Sequence, residues 1–353
     1  MRADGALGKV LGNGMAREYS ESAGTPSDSE ARPEFRRHSL VLPAPAAGLR
    51  LDQALARALP QYSRARLQGW IEAGEVSVDG RRPRAKDKVL GGERVEIVAR
   101  LEADERVRAE AQPLAVVYQD RALLVINKPA GMVVHPGAGN PRHTLQNALL
   151  ALDPKLALVP RAGLIHRLDK DTSGLLVIAR TLEAHARLVA ALAAREIERT
   201  YVAICRGAMT GGGSIDAPIG RHPTQRTRMS VRSDGREART HYRILKRYRA
   251  HTLVRVQLET GRTHQIRVHL AHIGYPIVGD PVYGGRGRVP RGSSPALAAA
   301  LQSFPRQALH ASRLALVHPL TGRALEWEAP IPDDMARLLL VLDEDQQWAE
   351  REQ

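Results

Sequence analysis

Apolar positions change their spacing several times along the chain, and each spacing predicts an element. Leu51, Ala54, Leu55, Ala58 and Leu59 recur at helical intervals, and Pro60 ends that run. Ser63 is placed to cap a second helix, with Leu67, Trp70 and Ile71 on one face. The segment "EVSVDGRRP" then reads as a strand (Val76, Val78), an Asp79-Gly80 turn and a return strand, a small unit closing near Val98. From Leu114 the texture changes. Short strand-like runs at 115–118, 123–126, 175–179, 201–205 and 253–258 alternate with loops, and 182–194 is an amphipathic helix. Val254, Val256 and Leu258 alternate with Arg255 and Gln257, the pattern of a strand with one wet face. Residues 335–342 are apolar almost all round, which predicts a final packed helix. Residues 1–45 are rich in Gly, Ser, Glu, Ala and Pro without apolar periodicity and are expected to be a disordered tail, in which Met15 could be the translation start. The expected order is this tail, a small α+β unit over 49–98, a charged linker over 99–113, a larger α+β domain over 114–342 and a C-terminal tail over 343–353.

Composition narrows the function. Hydrophobic residues make up 43% of the 353 residues but aromatics only 4%, so Leu, Val, Ile and Ala must fill the core. Lys and Arg total 52 against 38 acidic residues, a formal charge of +14, which favours a polyanionic partner: RNA or DNA first, a membrane surface as the rival. No run approaches the ~20 apolar residues of a membrane span. The N-terminus lacks the apolar core of a secretory signal. Cys205 is the only cysteine, which excludes an internal disulfide and a cysteine-based zinc site. A reducing cytoplasm is the expected compartment.

The densest chemistry is "LIHRLDKDTSGLLVIAR", residues 164–180. Its second half is a buried-strand run, while its first half crowds His166, Arg167, Asp169, Lys170 and Asp171 together. Charges resist burial unless paired. The reading is that residues 166–169 end one strand, 171–174 turn, and 175–179 return through the core. Asp171 and Ser173 can bond their own backbone, and Gly174 tolerates positive φ. Asp169 would then stand on a rigid element and need a cation to stay ionised, either Arg167 or an arginine of "ETGRTHQIRVH". A carboxylate so held can act as nucleophile or base on a nucleic acid, and an ordinary turn aspartate gives the same local pattern. Other chemistries fit less well. Gly137-Ala138-Gly139 lacks the third glycine of a dinucleotide loop, Arg142 standing there, and reads as a turn beside a substrate. His264, His269 and His272 lie in an Arg-rich stretch without an interleaved carboxylate, which argues against a metal. Arg167 and Lys170 already compensate Asp169 and Asp171, which argues against magnesium. Residues 221–249 hold ten Lys or Arg, Arg226 and Arg228 among them, against Asp234 and Glu237, and are expected to track phosphates. Tyr242 and Tyr248 there read as packing residues. In the second helix, Arg64 and Arg66 occupy a first turn whose dipole disfavours cations, so an anion such as phosphate is expected nearby.

Two resemblances sharpen this. "RLDQALARALPQYSRARLQGWIEAGEVSVDG" resembles the S4 RNA-binding domain in the order and spacing of its helices, Ser-Arg junction and hairpin. "HRLDKDTSGLLVIAR", "ERTYVAI" and "LETGRTHQIRVHLAHIGYPIVGDPVYG" resemble the RluA family of pseudouridine synthases over about 114–331. That resemblance implies a mixed, largely antiparallel sheet with a central cleft and flanking helices. It implies Asp169 as catalytic aspartate, Tyr201 stacking on the target uracil and aiding proton transfer, and Arg267 pairing with the carboxylate. It also implies that Arg167 opens the RNA and fills the space of the flipped base. His166, Arg226, Arg228, Arg262 and His264, with Arg64 and Arg66, are the further expected RNA contacts. The implied partner is 23S rRNA in the large ribosomal subunit or its precursor, through the stem-loop that contacts the small subunit. No cofactor, metal or membrane is implied, and a monomer is the default. A non-catalytic RNA-binding assembly factor would not need Asp169, Tyr201 and Arg267 together; a base-excising glycosidase would need a second positioned acid, which the sequence does not offer.

Overall fold

The computed structural model describes residues 34–62, 64–101, 107–137, 139–225, 227–284 and 288–351. Two compact units divide the chain, one running to residue 106 and one from residue 107 onward, with 157–160 grouped with the first. Ser63, with its expected capping role, lies outside the described residues.

In the first unit, helices α1 (Leu51–Ala58) and α2 (Arg64–Ala73) pack on an antiparallel sheet ordered β1-β3-β2, formed by β1 (Glu34–Val41), β2 (Val76–Val78) and β3 (Arg94–Leu101). Leu51, Ala54, Leu55, Leu67, Trp70 and Ile71 are buried, as their spacing predicts. Asp79 (φ 47°) and Gly80 (φ 73°) are both left-handed, the backbone that a two-residue hairpin turn requires. After the turn only Arg81 bridges back to Val78, and the strand pairing with all of β2 is the later β3. The expected tail is corrected at its end: 34–41 is a strand laddered to β3 from Glu34↔Leu101 to Val41↔Arg94. It escapes the periodicity test because an edge strand needs no buried face: Phe35 is 58% exposed and Val41 63%.

The second unit is built on one large sheet. Its strands are β4 (Ala115–Gln119), β5 (Leu123–Lys128), β6 (Ser173–Ala179), β7 (Glu198–Arg206), β8 (Gly213–Asp216), β11 (Arg239–Arg247), β12 (His251–Leu258), β13 (Leu309–Val317) and β14 (Ala324–Glu328). The order is β4-β5-β6-β13-β7-β12-β11-β8, with β14 on β13. Among the described strands only the β6–β13 pair is parallel. A separate two-stranded sheet joins β9 (Ile219–Arg221) and β10 (Met229–Val231). The helices are α3 (Leu145–Leu152), α4 (Leu182–Ala193), α5 (Gln265–His272), α6 (Pro295–Ser303) and α7 (Asp333–Arg351). Every residue of β6 is buried, in line with its unbroken apolar run, and α4 covers it through Ala184 and Leu188.

Two boundaries shift. Of the expected linker, 99–101 belong to β3 and 102–106 lie outside the described residues. The stretch after 106 packs on α3, where Asn147 Nδ2 donates to the Arg108 carbonyl at 2.7 Å. The expected C-terminal tail is helix to Arg351, and α7 buries one face, through Met335, Leu338 and Leu342, while Leu340 is 62% exposed. Polar residues after Leu342 hid this continuation, yet Asp345 is buried, accepting from the Ser294 N–H at 2.6 Å and pairing with Arg249 at 3.1 Å.

Candidate active site

The charged cluster before β6 is not the end of a strand. A single bridge joins Leu164 to Ile178, and the chain then runs as loop to Asp169, whose carbonyl accepts from the Thr172 N–H at 3.1 Å to form a turn into β6. Rigidity comes from other elements gripping this turn. The Lys170 carbonyl accepts from the Gly131 N–H at 2.9 Å and from Lys128 Nζ at 3.0 Å. The Asp171 carbonyl accepts from Arg306 at 3.2 Å, and Thr172 Oγ1 accepts from Gln307 at 3.1 Å. Gly174 (φ 116°) lies so close to β13 that a Cβ there would stand 2.3 Å from the Ala311 carbonyl oxygen.

On this turn the Asp169 side chain is 17% exposed. Arg267, from the buried face of α5, donates from Nη1 to Asp169 at 3.0 Å. The rest of that guanidinium is committed to Asp280, at 2.7 and 2.9 Å through Nε and Nη2. Burial alone would raise the Asp280 carboxyl; bonds and charge from Arg267 and the Val282 and Tyr283 N–H groups outweigh it and hold Asp280 below the usual carboxylate range. Burial opposes charge on Arg267 too, and the two carboxylates overcome it. Asp280 therefore fixes the cation that in turn faces Asp169.

A second layer surrounds the pair. Tyr201, from β7, is 5% exposed, and its hydroxyl is raised by burial and by the Asp169 charge, with Arg199 acting the other way. His264 Nε2 lies 4.0 Å from Asp169. Desolvation lowers this histidine despite Asp169, which favours the neutral ring. The Tyr283 hydroxyl accepts from the Met229 N–H at 2.9 Å and is hydrogen-bonded to His264 Nδ1 at 2.8 Å, which fixes the orientation of the imidazole beside Asp169. The Tyr283 ring is flanked by Arg267 at 5.1 Å and by Arg228 at 5.3 Å, which ties the β9–β10 sheet to the carboxylate site.

A desolvated carboxylate, a fixed guanidinium, a buried phenol and a surrounding of arginines suit covalent or proton-transfer chemistry on a ribose or base. The family model described as RNA pseudouridylate synthase matches residues 122–272, and the S4 domain model matches 49–95. The chain is 51% identical over 326 residues to ribosomal large subunit pseudouridine synthase D of Xanthomonas campestris pv. campestris, covering 92% of this chain and 97% of that protein. This chain belongs to the RNA pseudouridylate synthase family. The protein of the same name from Escherichia coli strain K12 is 55% identical over 299 residues, 84% of this chain and 92% of that one. Among solved structures, human RNA pseudouridylate synthase domain containing 4 is similar with a TM-score of 0.53 at 26% identity, covering 65% of this chain and 93% of that one.

Asp169, Tyr201, Arg267 and His264 are thus brought together, with Arg228 reaching them through Tyr283, and Arg167 is exposed two residues before Asp169. Arg262 lies on the loop before α5, its Nε donating to the Glu237 carbonyl at 2.9 Å. Other expected contacts are placed differently. His166 turns inward: its Nε2 accepts from the Val177 N–H at 3.3 Å, and burial followed by the Arg199 charge pushes its pKa down to about 3. It supports the backbone of β6 as a neutral ring. An anion that answers Arg64 within the protein is Asp52, fully buried, at 2.8 Å, which also binds Arg50 at 3.0 Å. Arg66 follows one turn-half later, partly exposed. Arg226 lies outside the described residues, as does Ala138; Gly137 and Asn140 do close a turn, the Asn140 N–H donating at 3.0 Å. The three histidines go to separate environments: His269 is buried against Thr240 and Ala217, His272 is exposed, and His264 faces Asp169.

Sequence reasoning missed Asp280, Tyr283, Lys128 and Arg306. "GDPVYG" was in view as part of a motif, but nothing local says that its aspartate would grip an arginine thirteen residues earlier. Lys128 ends an apolar strand, an unusual position for a lysine, and that was the available signal.

Proposed function

We propose that this enzyme converts uridines to pseudouridine in 23S rRNA of the large subunit or its precursor, at the stem-loop facing the small subunit, with Asp169 as the catalytic carboxylate. The uracil N1–C1′ bond breaks, the base turns, C5 bonds to C1′, and the proton lost from C5 is balanced by one gained at N1. The base must leave the stack for a carboxylate to reach the sugar. Either attack on C1′ or removal of the C2′ proton needs an ionised, oriented Asp169. The observation that carries the reading is the Asp280–Arg267–Asp169 chain of contacts, which sets a fixed guanidinium against that carboxylate. Tyr201 supplies a ring for the everted uracil, and Arg167, exposed beside the carboxylate, supplies a side chain to take the vacated place. Cytoplasmic action as a monomer completes the proposal. A non-catalytic RNA binder would not require a buried aspartate that fixes an arginine against a second aspartate.

Asp169→Ala should abolish modification while leaving RNA binding within a few-fold. Carbodiimide-adduct primer extension on rRNA from a deletion strain, complemented with parent or variant, reads this directly. Stops that persist in the uncomplemented deletion strain would overturn the assignment.

A further inference from the structure

Three arginines are buried among the described residues: Arg199, Arg267 and Arg306. Two are answered. Arg267 binds Asp280 and Asp169, and Arg306 binds Asp334 at 2.6 Å together with backbone carbonyls. Arg199 is 8% exposed, makes no ion pair or side-chain hydrogen bond among the described residues, and has a buried Nε without a partner. A guanidinium cannot shed its proton to escape burial. An unpaired charge out of water is among the costliest groups a fold can hold.

Its surroundings say what it waits for. Arg199 and Tyr201 are two residues apart on β7 and therefore share a face. The Tyr201 hydroxyl feels both the Arg199 and Asp169 charges, so the guanidinium and the carboxylate act on the same ring. His166, kept neutral, is its other titratable neighbour. Its Nη1 lies 2.8 Å from where a Cβ on Gly261 would stand. Gly261 is exposed, on the same loop as Arg262 and His264. The missing side chain keeps an approach to the guanidinium open from the surface.

A polynucleotide brings one negative phosphate per nucleotide, and the planar fork of arginine matches its oxygens. We propose that Arg199, reached past Gly261, is a subsite for one phosphodiester of the RNA, adjoining the nucleotide whose base meets Tyr201. The cation is left unpaired by the protein because the substrate supplies its counter-ion. This rests on the RNA-modifying reading above.

The test uses the full chain and stem-loop RNAs in which single flanking phosphates are replaced, one at a time, by neutral methylphosphonates. Binding and single-turnover pseudouridine formation are measured for the parent, Arg199→Met, Arg199→Lys and Gly261→Ala. One linkage should cost the parent about tenfold or more in binding. Arg199→Met should show that loss already with unmodified RNA and no additional loss at that linkage, while other linkages still weaken it. Arg199→Lys should recover part of the binding. Gly261→Ala, whose backbone conformation suits any residue, should reproduce the loss by crowding Nη1. If each linkage costs Arg199→Met as much as the parent, or Gly261→Ala binds as the parent does, the subsite is refuted. Should Arg199→Met fail to fold, the lysine and Gly261 variants carry the same comparison. A parent that binds these RNAs but forms no pseudouridine would defeat the functional reading, while the binding pattern would still decide the role of Arg199.

Discussion

At the scale of single residues, the site depends on groups that never meet substrate. Asp280 is fully buried and takes two of the three Arg267 contacts. Asp280→Ala would leave a buried cation half-paired and free to turn from Asp169. Such a loss costs about 3–5 kcal/mol, so denaturant unfolding should show a shift of that size, with a steep fall in turnover. An unchanged unfolding midpoint would mean that Arg267 is fixed by other means. Lys128 offers a test by pH. Its Nζ is buried among the carbonyls of Pro129, Met132 and Lys170 at 2.7–3.0 Å. Burial, opposed by Asp171 and Asp169, brings it from 10.5 down to about 7. Between those values the unfolded chain binds the proton more tightly than the folded chain, so this group makes stability rise with pH; below about 7 its contribution is flat. The stability of the parent minus that of Lys128→Met, taken with its sign, should therefore rise from about pH 7 to 9 and stay constant from about 5 to 6. A signed difference that falls with rising pH would contradict this. The triad Asp169, Tyr201 and Arg267 was legible through the resemblance of its motifs to a known family. Asp280, Lys128 and Arg199 were not, because their meaning lies in a partner, or in the lack of one, and local sequence records neither.

At the scale of elements, periodicity worked where an element buries a face and failed where hydrogen bonds or ion pairs hold it. The apolar runs of β5, β6, β7 and β12 appear where expected. Edge strand β1 and the last turns of α7 do not announce themselves, the first held by a backbone ladder and the second by Asp345. Truncation after Leu342 removes that buried carboxylate's bonds to Ser294 and Arg249. Thermal melting should then show a loss of about 1–3 kcal/mol, whereas a loose tail would cost nothing. The basic stretch 221–249 teaches the same lesson about charge. Within it Arg239 pairs with Asp216 at 2.6 Å and Arg249 with Asp345 at 3.1 Å, and Lys246 pairs with Asp343. Those acids lie far away in sequence, so counting charge along the segment overstates what is left for phosphate. Arg228, stacked on Tyr283, remains tied to the site.

At the scale of the whole molecule, a net charge of +14 spreads over two units, and the first carries the S4 match. Linking two RNA-binding modules raises the effective concentration of each for the same RNA. Removing residues 1–106 should weaken rRNA binding and flatten its dependence on salt, because fewer phosphates are neutralised, while some turnover on small stem-loops survives. Filter binding across a salt series measures this; an unchanged slope would show that the first unit contributes no phosphate contacts.

By itself the sequence determined the α+β class and the small N-terminal unit, which follow from the apolar period that neighbouring residues impose on one another. The acid, phenol and arginine of the second unit were singled out by the resemblance of their motifs to a known family. Only the tertiary structure decided which charges are answered. It gave Arg64 to Asp52, turned His166 to the backbone of β6, locked Arg267 between two aspartates and left Arg199 with none among the described residues. Ion pairing depends on distance in space and on exclusion of water, and both are set by the fold rather than by position along the chain.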